Sequence, residues 1–338
     1  MSQNWKKVIE TFFGVTISGV LLYFGFRQIQ ISAMLEVLRM ANYWWIVPAI
    51  FCYLGALLMR TVRWKILIWQ QENHHFVELL PAMAIGRASN NLLPLRLGEG
   101  VRVYLLSLFN HIRWPFGAAT LIVERVFDGI AMLVFIVSAA IIGEIPSGPL
   151  QGTFILAFLL FGFIIGLLTL FVFHPTLFMR LVDFFTTYLV PQKFRSSVKN
   201  VFSQFFEGFL VIQNPLSISL VLLCSVAVWV FELGVYRLVM NCFGFGVDFH
   251  TLLLMSAASN LGTALPSGAA NLGTFDSPGI WVLTSLANLS NQIAAPYMLT
   301  LHATLWVTET GIGMIFMAVT GISMKQMLRP DLQGELPS

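Results

Sequence analysis

Charge is what this sequence has least of. Only 10% of its 338 residues are Asp, Glu, Lys or Arg, against roughly 25% in soluble domains, and that shortage excludes a water-soluble globular enzyme. The 19 basic and 16 acidic residues leave a net +3, too little basic charge for a nucleic-acid-binding surface. Cysteine is scarce as well. Cys52, Cys224 and Cys242 are scattered without a CxxC or paired spacing, which excludes a disulfide framework and a zinc cluster and leaves them as small packing residues. Asp-x-Asp, His-Glu-x-x-His, Gly-x-Ser-x-Gly and phosphate-loop motifs are all missing, so neither a metal, a cofactor nor a catalytic centre is expected. His74-His75, beside Glu72 and Glu78, reads as an exposed interfacial turn rather than a metal site.

What is plentiful is apolar: 57% of residues, with 30 Phe, 9 Trp and a mean hydropathy of +0.80. The chain is expected to be an all-α polytopic membrane protein. A helix needs about 20 apolar residues to cross the hydrocarbon, and six segments approach that length, near residues 8–26, 43–62, 115–142, 152–173, 216–240 and 296–320. The first follows Lys6 and Lys7 but lacks a small-x-small cleavage site, so it is read as a retained span rather than a signal peptide.

Two further apolar stretches, 79–112 and 251–288, are interrupted where a span should have its centre, by Asn90-Asn91-Leu-Leu-Pro94-Leu-Arg96-Leu-Gly98-Glu99 and by Asn260-Leu-Gly-Thr-Ala-Leu-Pro266-Ser-Gly268. Irregular backbone survives at that depth only when buried in protein or lining a wet cavity. Both are therefore read as re-entrant helical hairpins; ordinary kinked spans are the alternative. The order span, span, hairpin, span then occurs twice, in opposite membrane orientations, over 1–148 and 149–325, with a cytoplasmic tail at 326–338. Inverted repeats with broken helices near the midplane characterise alternating-access transporters.

Basic residues set the sidedness. With the N-terminus inside, the cytoplasmic segments hold Lys6, Lys7, Arg63, Lys65, Arg113, Arg180, Lys193, Arg195, Lys199, Lys325 and Arg329, and the external ones Arg27 and Arg39. Both termini are thus expected in the cytoplasm, on a cytoplasmic (inner) membrane. Phe194, Val198, Val201, Phe202, Phe205 and Phe209 share one helical face among Lys193, Arg195 and Lys199, which predicts an interfacial helix at about 192–212. Ile31, Leu35 and Leu38 predict a shorter external one. Gly162-x-x-x-Gly166 has the spacing of a close helix contact but is a common pattern.

Ionisable residues inside spans are costly and usually face the bundle interior. Glu124, Arg125 and Asp128 lie within the third full span, where Arg125 and Asp128 permit a local ion pair that leaves one net negative charge. The first hairpin offers Arg96, Glu99 and Arg102, two cations suited to a lipid phosphate. Arg102 has the alternative of snorkelling to the interface. The second hairpin offers Asp276, and Asn90, Asn91, Asn260 and Asn271 present amides to a headgroup or cap half-helices. The last two spans add Glu232, with Arg237 nearby, and His302 with Glu309 on one face; Glu232, His302 and Glu309 are the candidates for proton coupling.

On these residues the chain resembles the lysylphosphatidylglycerol synthase transmembrane region family, also described as flippase-like membrane proteins. The likeness runs through Arg60–Trp64, the Leu-Pro-x-Arg-x-Gly-Glu run ending at Glu99, Arg102, Glu124-Arg-Val-Phe-Asp128 and the segment from Leu265 to Asp276. Two positions depart from the pattern. Ser267-Gly-Ala-Ala-Asn-Leu-Gly273 and Asp276 stand where Pro-Gly-Gly-x-Gly and a Glu are usual, and His302 stands where an Arg is expected.

The resemblance implies the lipid-translocating part without an aminoacyl-transferring domain, since only Met324–Ser338 follows the last span. The expected function is a flippase-like translocase for a phospholipid or polyprenyl-phosphate-linked glycan, acting through a cleft between the hairpins. A membrane-embedded transferase with Glu99, Glu124 or Asp128 as base, or an assembly subunit, are the alternatives. A homo-oligomer or a lipid-modifying enzyme is the expected protein partner.

Overall fold

The computed structural model describes residues 30–69, 75–93, 97–143, 149–264 and 269–322, with isolated positions 16, 19, 20 and 23. Apart from those isolated positions the expected span at 8–26 lies outside the described residues, as do Arg96, Glu72, His74 and the tail 326–338. The described residues form helices and no strand: α1 (Ile31–Met40), α2 (Ile46–Ile68), α3 (Phe76–Leu92), α4 (Gly98–Asn110), α5 (Trp114–Ile142), α6 (Pro149–Phe173), α7 (Pro175–Leu189), α8 (Arg195–Glu207), α9 (Pro215–Cys242), α10 (Phe249–Gly262), α11 (Asp276–Leu286) and α12 (Asn291–Thr320).

Local chemistry places the ends. His75 and Glu78 form a capping box that starts α3. Asn214 Oδ1 accepts from the amides of Leu216 and Ser217 at 3.0 and 3.4 Å ahead of Pro215, which starts α9. Gly321, at φ +69°, ends α12 in the left-handed region. Leu93 turns extended (φ −105°, ψ 141°) at the end of α3; the residue that follows it in sequence is Pro94, and the residue before a proline avoids the helical region.

Among the described residues, four helices are long and apolar enough to cross a membrane: Tyr43–Ile68, Trp114–Ile142, Pro215–Cys242 and Asn291–Thr320. A fifth crossing is possible as the pair Gly162–Phe173 and Pro175–Leu189, bent by 99°, with Pro175 at the bend. The protein is a multi-pass membrane protein. Outward apolar side chains such as Ile155, Leu159 and Phe163 on α6 suit a lipid-facing wall.

The helices pack in a pattern that repeats. At the centre α2 lies along α9, where Gly55 leaves room for the Phe231 ring and Gly234 for Cys52 Sγ, the small-residue approach that membrane helices use. Arms α3 and α4 pack on each other, and so do α10 and α11. The first arm of each unit then leans on the closing helix of the other half: α3 on α12, with Gly313 against Ala84 and Ala88, and α10 on α5. Exchanging α2 with α9, α3 with α10, α4 with α11 and α5 with α12 leaves this set of contacts unchanged. The turn Ala269–Asn271 also reaches α3, so the two units meet at the middle of the protein.

Helix α8 covers most of the expected interfacial segment and packs on the N-terminal part of α5, and just past its end Gly208 lies so near Ala119 that an added Cβ would strike the alanine methyl. Helix α7, which the span at 152–173 does not anticipate, packs against it through stacked Phe178 and Phe206. Helix α1 contains Ile31, Leu35 and Leu38, where a short helix is expected. An added side chain on Gly162 or Gly166 would meet nothing within 4 Å, so the motif makes no close helix contact among the described residues. The second full span runs on to Ile68, and Arg63 is fully buried inside it. Arg63 is therefore a core cation, not the cytoplasmic-loop cation expected, because two carboxylates and a hydroxyl lie within its reach.

Candidate functional site

Where the two units meet, a cavity of about 410 Å³ opens. Helices α2, α3, α4, α5, α9, α10 and α12 and the turn at Ala270–Asn271 all contribute to its wall. Its charged lining is Arg60, Arg87, Arg102 and Arg125 with Glu99, Asp128, Glu232 and Glu309, joined by His302. Equal numbers of arginines and carboxylates let each charge be matched, which buried charge requires.

The pairs connect elements. Arg60 on α2 donates to Glu232 on α9 at 2.7 Å. Arg63 reaches Glu124 at 3.2 Å and Asp128 at 2.8 Å on α5, and donates to Ser225 Oγ on α9 at 3.0 Å. Arg87 on α3 pairs with Glu309 on α12 at 2.5 Å, and Asn91 donates to Glu309 and Thr310 at 3.0 and 3.3 Å. Arg102 on α4 grips both oxygens of Glu124 and lies 3.9 Å over the Trp64 ring. Arg125 touches Glu124 at 3.0 Å, with Glu99 and Asp128 each at 3.6 Å.

Exposure separates these arginines. The side chains of Arg60 and Arg102 are 5% and 3% exposed, Arg87 20% and Arg125 37%. Arg125 is thus the most available cation in the described wall. Trp229, Trp306 and Asn90 also line the cavity, and Trp229 Nε1, Trp306 Nε1 and Asn90 Oδ1 are buried without a hydrogen-bond partner among the described residues.

The second unit closes differently. Asp276 begins α11, is fully buried and accepts from the Gly273 amide at 3.0 Å. His302 Nδ1 lies 2.9 and 3.1 Å from its two oxygens, and His302 Nε2 lies 2.7 Å from the carbonyl of Ala270. Asn260 donates to Tyr236 Oη and to the Ser256 carbonyl at 3.0 and 2.9 Å.

Of the residues singled out in the sequence, Asn90, Asn91, Glu99, Arg102, Arg125, Asp128, Glu232, Asn260, Asn271, His302 and Glu309 come together around this cavity. Glu124 and Asp276 lie behind its wall, and Arg96 is outside the described residues. Several expectations change. Arg102 neither snorkels nor offers a free fork, because Glu124 occupies it. The third full span does not keep a net negative charge, since Arg60, Arg63 and Arg102 approach its acids from α2 and α4. Glu232 pairs with Arg60 rather than Arg237, whose guanidinium sits by Gly246.

Sequence reasoning passed over Arg87, Tyr53, Trp229, Tyr236 and Trp306, all part of the wall. Arg87 carried a usable signal: it stands in Ala84-Ile-Gly-Arg87-Ala88 within an apolar stretch, the same criterion that singles out Arg102. The aromatics carried none, being indistinguishable from lipid-facing rings in a chain with 30 Phe.

No curated protein and no solved structure matches this sequence. The family model of the lysylphosphatidylglycerol synthase TM region matches residues 11–313, a stretch that contains every described wall residue, and the chain belongs to that family.

Proposed function

We propose that the protein is a lipid translocase of the cytoplasmic (inner) membrane, passing a phosphate-containing polar lipid or lipid-linked glycan through the central cavity while its tails stay in the bilayer. The observation that carries this reading is the cavity itself, walled by both helix–break–helix units and lined by four arginines and four carboxylates. A charged group at the bilayer centre costs about 2.5–3.5 kcal/mol even on the lenient insertion scale. A cleft lined by Arg125 and by the amide side chains of Asn90, Asn91, Asn260 and Asn271 replaces much of the lost hydration. Arg125, with Arg96 of the same unit, would meet the phosphate.

The proposed topology has six full crossings and two re-entrant hairpins in an inverted-topology repeat, with both termini cytoplasmic. The exchange-invariant packing supports it: α2 to α5 and α9 to α12 relate as two copies would. Movement of one unit against the other would then open the cavity to alternate sides.

Purified protein in liposomes with fluorescent phospholipids or polyprenyl-phosphate lipids should speed leaflet exchange. Arg125→Gln should slow that exchange by about tenfold or more, the loss of one charge-assisted contact to phosphate, with the folded fraction unchanged. Equal rates with and without protein for every headgroup would overturn the reading, and a chemically altered lipid by mass spectrometry would point to a transferase.

A further inference from the structure

Among the charge pairs around the cavity, the one closing the second unit contains no arginine or lysine. Asp276 is a fully buried carboxylate whose described contacts are the Gly273 amide and His302. A lone buried carboxylate is strongly disfavoured, and among the described residues its compensation comes from His302.

The hydrogen-bond geometry counts the protons. Nδ1 of His302 faces carboxylate oxygens at 2.9 and 3.1 Å, and Nε2 faces the Ala270 carbonyl at 2.7 Å. A neutral imidazole has one N–H and one lone pair, so with an ionised Asp276 one of these contacts would set lone pair against lone pair. Both contacts are satisfied as imidazolium with carboxylate, or as imidazole with carboxylic acid. In either form the triad holds one proton more than neutral His302 and ionised Asp276 together.

That proton also holds a loop. Ala270 and Asn271 adopt left-handed backbone (φ 63° and 55°), which a non-glycine residue adopts only at a cost, and the turn they form is part of the cavity wall and touches α3. The bond from His302 Nε2 ties this turn to α12. The Phe275 ring, 4.9 Å from the imidazole, covers it.

We infer that His302, Asp276 and the Ala270 carbonyl form a proton-binding site, and that gain or loss of the proton fastens or frees the Ala269–Asn271 wall of the cavity. The groups facing His302 are Asp276 from α11 and Phe275 from the turn; Glu309 follows on its own helix, itself held by Arg87 from α3, and Tyr236 and the Arg60–Glu232 pair lie on the facing α9 and α2 walls. The carboxylates of the described wall are each paired with arginine, which does not titrate, so the labile proton is assigned to this triad. The proton site stands on its own geometry; its coupling to lipid passage rests on the translocase reading.

Hydrogen exchange at residues 269–275 of the full-length protein tests it without any transported lipid. Wild type and His302→Arg are compared at matched pH, so the intrinsic pH dependence of exchange cancels. At about pH 5.5 the two should exchange alike, and at about pH 8.5, above the ordinary imidazole range, wild type should exchange about tenfold faster, the loss of one hydrogen bond to a charged group. A ratio that stays near one up to about pH 9.5, where an imidazolium is no longer sustained by ordinary carboxylate pairing, overturns the proposal.

Should His302→Arg not fold, the unmodified protein gives a second reading. Protection of 269–275 must fall with rising pH relative to the turn at 287–290, which has no titratable side chain, and equal pH dependence of the two turns overturns the proposal. In proteoliposomes a pH gradient should change leaflet exchange by wild type and not by His302→Arg. Exchange data as expected with no lipid movement at all would leave the proton site standing and remove the translocase reading alone.

Discussion

In the first unit Glu99, at the start of α4, approaches Arg125 on α5; in the second Asp276, at the start of α11, approaches His302 on α12. The cation follows the acid by 26 residues both times (99 to 125, 276 to 302). The surroundings then diverge. The first contact belongs to a network in which Arg60, Arg63, Arg102 and Arg125 share Glu124, Asp128 and Glu99. The second is a single pair with a backbone carbonyl behind it. On the proton-site inference, one architecture carries a permanent closure in one unit and a conditional one in the other, and the difference lies in whether arginine or histidine meets the acid.

Removing the permanence should be the most costly change. Arg63 is fully buried and joins α2, α5 and α9 through Glu124, Asp128 and Ser225. Arg63→Met is expected to lower stability by about 3–5 kcal/mol, since it leaves buried carboxylates short of a partner. Adding Asp128→Asn should restore part of that loss, a non-additivity expected of groups in one network. Thermal unfolding in detergent followed by size-exclusion chromatography reads both. Additive losses would mean that the network is a set of independent pairs.

A smaller effect concerns what the two units share. In each, a glycine lets the arms touch: a Cβ on Gly98 would strike the Asn90 amide nitrogen and the Gly86 carbonyl, and one on Gly262 the Thr274 carbonyl. Gly98→Ala and Gly262→Ala should each cost about 1–3 kcal/mol, the usual penalty of overpacking. Gly100→Ala and Gly311→Ala, where nothing lies within 4 Å, should be neutral or slightly stabilising through helix propensity. Loss at Gly98 with none at Gly262, by the same unfolding measurement, would show the second unit already loose.

The likeness of the two units was legible in the sequence and their difference was not. Breaks at Leu93-Pro94 and around Pro266, in stretches otherwise apolar enough to be spans, announced both units, because proline and glycine punctuate helices by local sterics. Glu99, Asp128, Glu232, His302 and Glu309 announced the cavity, because charge within a span is too costly to face lipid and turns to a polar interior. Their partners depend on which helices lie side by side, and spacing along one chain segment carries no such information. Hence spacing matches Asp128 with Arg125 on its own helix, whereas Arg63 from α2 makes the shorter contact. Arg102 reads as a free cation in the sequence because Glu124 lies on another helix, and Arg63 as a loop residue because α2 continues past the apolar run that marks its end. His302 reads as titratable, but its hold on Ala270 arises from a left-handed turn that no residue pattern there requires.

The finest prediction moves the conditional closure to the other side. Arg125→His would give the first unit the side chain that closes the second, facing Glu99 and Asp128 as Arg125 does now. An imidazole is charged only below its ordinary range near pH 6.5, give or take about one unit, so the contact should be present at low pH and lost as pH rises. The variant should match wild type at about pH 5.5 and fall behind it by at most about 1 kcal/mol at about pH 8.5, small because a side chain 37% exposed is well screened. Unfolding temperature against pH gives the stability, and hydrogen exchange at 97–100 gives the local opening of α4. If α4 stays as protected at high pH as in wild type, then Arg102 and Glu124 hold it unaided. The first unit would in that case be fastened one helical turn deeper than the second, and Glu99 would be left as a carboxylate available to whatever enters the cavity.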